Sequence, residues 1–198
     1  IPLSPDIEHA LAIDRRAELL PGYKAHRAAQ PVPPLLEPPM PVVMDCLEAA
    51  GIDALGVPGY EAEDVIASLV ARVETPIEIY SGDRDLFTLI RDREVIVLYP
   101  EKTGLAEVDE VEVARRYSIP GRAYADFAIL RGDPSDGLPG VAGIGAKKAA
   151  DLVRRHGSVA AMHEAGIFRE ADAEYLRKAS RIVPPVTALE IEVPAGRR

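Results

Sequence analysis

Five carboxylates crowd two short junctions of this sequence, and they constrain the fold more than any other feature. Glu61, Glu63 and Asp64 open the stretch Gly59-Tyr-Glu-Ala-Glu-Asp-Val-Ile-Ala-Ser-Leu-Val, in which Val65, Ile66, Leu69 and Val70 recur at helical spacing. Asp83 and Asp85 follow Ile77-Glu-Ile-Tyr-Ser-Gly, a short alternating run that predicts a strand stopping at Ser-Gly. The helix dipole favours acids in the first turn by ~0.3–1 kcal/mol, so a purely structural role covers Glu61, Glu63 and Asp64 as well as a functional one does. It does not cover Asp83 and Asp85, because in open α/β sheets the crevice beyond the strand ends is where ligands bind. Hard oxygen ligands gathered there suit Mg²⁺ or Mn²⁺ rather than zinc.

The rest of the chain supports an alternating α/β pattern. Residues 9–14 predict a strand end delivering Asp14 to its carboxyl edge, where a lone Asp otherwise serves as a turn or cap residue. Pro21-Gly-Tyr-Lys-Ala-His-Arg27 is a basic and aromatic cluster. If it is helical, Lys24 and Arg27 share a face; such a pair is ordinarily solvated, and the sharper reading is a phosphate clamp with Tyr23 offering its ring to a base. Six prolines within residues 30–41 exclude a helix and predict a loop. A helix over 42–50 stopped by Gly51, a strand over 52–57, a helix over 85–90, a strand over 95–99 and a helix over 108–117 then follow. The alternation predicts a mainly parallel sheet with flanking helices, whose strand ends would share one edge.

After Arg122 the alternation stops. A helix over 123–131 leads into Gly132-Asp-Pro-Ser-Asp-Gly-Leu-Pro-Gly-Val-Ala-Gly-Ile-Gly-Ala-Lys-Lys, which adds Asp133 and Asp136 in a turn-rich loop where Asx-type bonds are the bland explanation. Gly140, Gly143 and Gly145 permit close backbone approach ahead of a helix over 146–156, and such a helix start is an anion site. Lys147, Lys148, Arg154 and Arg155 face a single Asp151 there, a local basic patch in a chain of net charge −9. The overall charge argues against nonspecific polyanion binding by the whole surface, so nucleic-acid recognition has to be local and helped by cations. The Gly-Lys-Ser/Thr ending of a Walker loop is absent. A further helix over 169–182 ends at Pro184-Pro185, and 186–193 alternates only weakly.

Composition bounds the remaining choices. At 47% hydrophobic residues the chain can bury a core. Its one cysteine, Cys46, excludes a disulfide framework and is expected to be a buried small hydrophobe. The absence of a long apolar run points to a soluble cytoplasmic protein with no membrane partner.

Four stretches in this order resemble the 5′ nuclease family, the bacterial 5′→3′ exonucleases and flap endonucleases, including the N-terminal domain of DNA polymerase I. They are Tyr23-Lys-Ala-His-Arg27, Gly59-Tyr-Glu-Ala-Glu-Asp64, Ser81-Gly-Asp-Arg-Asp-Leu86 and the glycine-rich run from Gly132 to Gly145. The resemblance implies a Rossmann-like, PIN-like nuclease core over 1–120 and a helix–three-turn–helix DNA-binding module over 121–198. It implies metal ligands at Asp14, Glu61, Glu63, Asp64, Asp83, Asp85, Asp133 and Asp136, with two or more Mg²⁺ or Mn²⁺ ions. The bacterial pattern has Asp where Glu63 stands, so Glu63 is expected to be a ligand of longer reach. Lys24 and Arg27 look like the scissile-phosphate contacts and Tyr23 like the ring beneath the terminal base. Gly143, Gly145, Lys147 and Lys148 look like the hairpin holding the duplex backbone, around a K⁺ ion. The implied partners are DNA with 5′ flaps, nicks or 5′ ends, and RNA/DNA hybrids, met by a monomer in the bacterial nucleoid. The sequence departs from the family in two places. The opening strand with a further metal-binding Asp does not precede Asp14, and Asp14 lies only nine positions before Tyr23, so residues of a longer chain are expected at both places. Two other readings stay open. One is a binding module for branched DNA without catalysis. The other is a small-molecule phosphohydrolase, which leaves the basic patch without a role.

Overall fold

The computed structural model describes residues 14–28, 40–74 and 76–192; the predicted strand ending at Asp14 otherwise lies outside them. The chain divides into two compact units, one formed by Ile1–Val73 with Val186–Arg198 and the other by Glu74–Pro185.

The first unit contains α1 (Asp14–Leu19), α2 (Ala25–Ala28), α3 (Met40–Ala49) and α4 (Ala62–Val70). Asp14 itself lies in a helix, α1. α3 closes at Gly51, which adopts φ 71° while its N–H reaches the Glu48 carbonyl and that of Ile52 the Leu47 carbonyl. The expected burial of Cys46 is not met: it lies exposed on α3, one turn from the exposed Val42. No strand forms over 52–57; Leu55 makes a single bridge, and Leu55 and Val57 instead pack beside Val65 of α4.

The weakly patterned tail does more than its sequence advertises. Leu189 and Ile191 join Val65 in a buried cluster flanked by Tyr60, Leu69 and Val186. Burying side chains of this size contributes ~1.5–3 kcal/mol each. Ser68, wholly buried in α4, donates its hydroxyl to the Val186 carbonyl (3.0 Å) and accepts the Leu189 N–H (3.1 Å). The Arg72 guanidinium donates to the carbonyls of Leu189 and Ile191.

The second unit begins with a sheet of order β1 (Ile77–Tyr80), β2 (Val95–Glu101), β3 (Gly104–Val108). β1 and β2 are parallel, with Ile77 opposite Val95 and Tyr80 opposite Leu98. β2 and β3 are antiparallel, with Val97 opposite Val108 and Glu101 opposite Gly104. The described sheet is thus mixed, not mainly parallel. The reason is the two-residue turn at Lys102-Thr103, which can join only antiparallel strands. Between β1 and β2 the helix predicted over 85–90 forms as a 3₁₀ helix over Arg84–Leu89. Its Leu86, Phe87 and Leu89 point inward, and Phe87 meets Tyr99, Tyr117 and Tyr124 at ring separations of 5.5, 6.2 and 5.4 Å.

Helices complete this unit: α5 (Glu110–Tyr117), α6 (Tyr124–Arg131), α7 (Ala146–His156), α8 (Val159–Glu164) and α9 (Glu170–Ile182). α6 is apolar nearly all round and forms the centre, which leaves α7, α8 and α9 to pack their apolar stripes against it. α8 escaped the sequence reading because it is only six residues long. Two local bonds start it: Ser158 accepts the Ala161 N–H (3.2 Å), and Asp126 of α6 accepts the Val159 N–H (2.8 Å).

Candidate functional site

Each unit carries its own acidic group. In the first, Gly59 (φ 76°) turns the chain into α4, placing Glu61 at the N-cap and Glu63 and Asp64 in the first turn. The Glu61 N–H donates to Asp64 Oδ2 (3.1 Å), half of a capping box, and Asp64 Oδ1 accepts the Val186 N–H from the tail (2.7 Å). Asp64 is 2% exposed and held by the backbone on both oxygens.

All three carboxylates meet one cation that the sequence reading did not select, Arg16 of α1. Its Nη1 bonds Glu61 and lies 2.6 Å from Glu63, while Nη2 lies 2.8 Å from Asp64 Oδ1. Lys24 adds a second charge, with Nζ 2.8 Å from Glu61 Oε2. Burial alone would lower the pKa of Arg16, but Glu63, Glu61 and Asp64 together raise it above its ordinary value. Burial would likewise raise that of Glu61, yet Lys24 and Arg16 hold it below the usual carboxylate range. Lys24 is therefore a buried ion-pair partner and not part of a solvated face. It adopts φ 48°, and its Nζ lies 4.9 Å from the centre of the Tyr23 ring. Tyr23 is also buried, its hydroxyl 3.4 Å from Glu61 and its pKa pushed up by that burial. The side chains of Asp14 and Arg27 lie outside the described residues.

In the second unit Asp83 follows β1 and caps the 3₁₀ helix, accepting the Asp85 N–H at 3.0 Å. Arg84, between these two acids, reaches Asp133 Oδ2 at 3.4 Å and so ties the 83–85 turn to the glycine-rich loop. Arg131 also donates to that oxygen (3.1 Å), while Oδ1 takes the N–H and hydroxyl of Ser135. Asp133 and Asp136 are both buried. Residues 83–85 and 133 thus meet within one unit. Arg84 and Arg131, like Arg16, were missed because an arginine inside an acidic motif has no periodic signature. The signal available was compensation: buried carboxylates need buried cations.

Farther along, Gly143 (φ 79°) is exposed, and Gly145 caps α7 without any side chain to satisfy its first N–H groups. Lys147 and Lys148 are exposed in the first turn, which contains no acid. Arg154 is occupied elsewhere, paired with Asp151 and donating to the Ser118 carbonyl at 2.8 Å. The anion-seeking end of α7 is therefore its N-terminus.

Glu61, Glu63 and Asp64 present hard carboxylate oxygens, the donor type that a divalent cation takes. The mixed sheet with its flanking helices and the helices that follow it define an α/β fold with a helical C-terminal part, which presents a basic helix start at α7.

Comparison with known proteins gives the family. Residues 6–118 match the model of the 5′–3′ exonuclease N-terminal resolvase-like domain, and residues 119–183 that of the 5′–3′ exonuclease C-terminal SAM fold. A 5′–3′ exonuclease of Streptomyces coelicolor is 49% identical over 162 residues, covering 76% of this chain and 54% of its own. One from Mycobacterium tuberculosis is 41% identical over 204 residues, covering 87% of this chain and 64% of its own. DNA polymerase I of Mycobacterium bovis is 39% identical over 150 residues, 73% of this chain and 16% of that one. Among solved structures, the bacteriophage T5 D15 protein co-crystallised with metal ions superposes with a TM-score of 0.74 at 24% identity, over 87% of this chain and 71% of that one. The chain belongs to the 5′–3′ exonuclease family. It spans 54% and 64% of the lengths of the two exonucleases it matches.

Proposed function

We propose that this chain is the nuclease part of a structure-specific 5′→3′ exonuclease and flap endonuclease that hydrolyses DNA with Mg²⁺ or Mn²⁺. The observation that carries this reading is the set of α4 carboxylates converging on one cation in a member of the 5′–3′ exonuclease family. In this reading residues 1–120 do the chemistry and 121–198 hold the DNA. Glu61, Glu63, Asp64, Asp83, Asp85, Asp133, Asp136 and Asp14 supply the ligands, with Asp64 the most firmly oriented and Asp133 oriented by Arg84 and Arg131. Bound divalent ions would polarise the phosphodiester and lower the pKa of the attacking water. Lys24 and Arg27 contribute positive charge toward the phosphate, and Tyr23, buried against Lys24, positions that lysine. Gly143, Gly145, Lys147 and Lys148 grip the backbone of the duplex through the α7 N-terminus, with K⁺ as the accompanying ion. The substrates are 5′ flaps, nicks and 5′ ends, with RNA/DNA hybrids as further ones, for a monomer acting at the bacterial nucleoid. No described helix is long and apolar enough to cross a membrane.

The test is cleavage of a 5′-labelled flap duplex with Mg²⁺, with Mn²⁺ and with EDTA, by wild type and by Asp83→Ala. Mg²⁺-dependent release of the flap that Asp83→Ala abolishes is the expected result. Equal cleavage by the variant sinks the assignment, and DNA binding without cleavage by wild type gives the binding-module reading instead.

A further inference from the structure

The nuclease reading gives Arg16 no task, and the geometry gives it a conspicuous one. It is 8% exposed, and its guanidinium bonds every carboxylate of the α4 acidic turn: Nη1 takes Glu61 and Glu63, and Nη2 takes Asp64. An arginine has donors only and can never join a metal's coordination shell. A divalent ion settling on these same oxygens would stand within a few ångströms of a fixed positive charge, in a buried setting where screening is weak. Guanidinium and metal ion are therefore rivals for one set of oxygens.

We propose that Arg16 is a built-in stand-in cation: it keeps Glu61, Glu63 and Asp64 gathered before metal arrives and gives up their oxygens to the incoming divalent ion, so that Arg16 sets the metal concentration at which the site fills. The inference rests on the reading of these acids as metal ligands. It goes further in assigning Arg16 as a positioning residue that opposes metal while preserving the site that metal needs. Without such a cation the three acids would repel one another, and the first turn of α4 would be strained. With it the turn is held, at the expense of metal affinity. A residue that merely braced the fold would show a different pattern, because its loss would loosen the ligands and weaken metal binding.

The experiment measures Mn²⁺ binding alone, without DNA or turnover, by titration calorimetry on wild type, Arg16→Met and Arg16→Lys, with thermal melts in EDTA and in saturating Mn²⁺. Arg16→Met is expected to bind Mn²⁺ at least tenfold more tightly than wild type, to melt lower in EDTA and to recover most of that loss in Mn²⁺. Arg16→Lys, which keeps the charge but cannot span three carboxylates, is expected to fall between them. If Arg16→Met does not fold in EDTA, refolding in Mn²⁺ with Arg16→Lys carrying the affinity comparison keeps the test decisive. Equal or weaker Mn²⁺ binding by the folded variants overturns the proposal. Glu63→Gln separates the two levels: if it leaves wild-type Mn²⁺ affinity unchanged, the assignment of these acids as ligands fails, and the proposal fails with it for that reason.

Discussion

Gly140 and Gly143 form a matched pair from which the steric term in the glycine-rich loop can be measured. Both occupy the left-handed region, with φ 70° and 79°. An alanine at either site incurs roughly 1–2 kcal/mol for that conformation, offset by ~0.4–1 kcal/mol from the stiffer unfolded chain. What differs is the space. A Cβ on Gly143 meets nothing within 4 Å, whereas on Gly140 it would lie 2.6 Å from the Gly132 nitrogen and 2.7 Å from the Arg131 carbonyl carbon and oxygen. Those atoms are backbone and they are pinned. The Gly132 N–H bonds the Ala128 carbonyl at 2.8 Å, Asp133 and Leu138 exchange bonds of 3.0 and 2.9 Å, and the Gly140 N–H bonds the Tyr175 hydroxyl at 3.2 Å. Relief requires moving the loop that carries Asp133, so an overpacking cost of ~1–3 kcal/mol adds to the shared term. Gly143→Ala should therefore lose no more than ~1.5 kcal/mol and Gly140→Ala about 1–3 kcal/mol more. Urea denaturation followed by circular dichroism reads both, and for a chain of this size the difference corresponds to ~2–4 °C in Tm per kcal/mol. Equal losses for the two variants would refute the argument, because the conformational term they share would then be the whole effect.

Other consequences are as direct. Ser68→Ala should cost ~1–3 kcal/mol, since it strips partners from the Val186 carbonyl and the buried Leu189 N–H together, and amide exchange at Leu189 should quicken; unchanged exchange there contradicts the role given to the tail. Asp126 has its pKa raised by burial, partly offset by the Val159 N–H, so protonation favours the folded state. That contribution is complete below the unfolded value near pH 3.8 and is lost as pH rises through the higher folded value. Asp126→Asn keeps the acceptor and should melt higher than wild type at pH 7, with the gap closing below about pH 4; a gap independent of pH argues against the burial effect. Lys147→Ala and Lys148→Ala should each lower the slope of log affinity for duplex DNA against log salt by about 1, and an unaltered slope removes that lysine from the interface.

Much of the helical module was legible in the sequence because its signals are local. The Gly145 start, the basic first turn and the apolar stripe of α7 lie within a dozen residues, and the helix forms at 146–156 as its pattern predicts. β2 was legible for the same reason, as an unbroken apolar run. β3 was not, since Gly104-Leu-Ala-Glu-Val is half exposed and takes its identity from pairing with β2. The 3₁₀ form of 84–89 was equally hidden, because i,i+3 and i,i+4 spacing overlap over so short a segment.

The amino-acid order by itself determined which acids exist, that they sit at element ends, and the family whose motifs they spell. The folded chain decided what each one is bonded to. Arg16 meets its acids across 45 to 48 residues, Arg84 meets Asp133 across 49, and the tail reaches Asp64 across 122. Periodicity describes neighbours within a turn or a strand, while the partner of a buried charge is chosen by desolvation, which acts wherever the fold happens to bring opposite charges together.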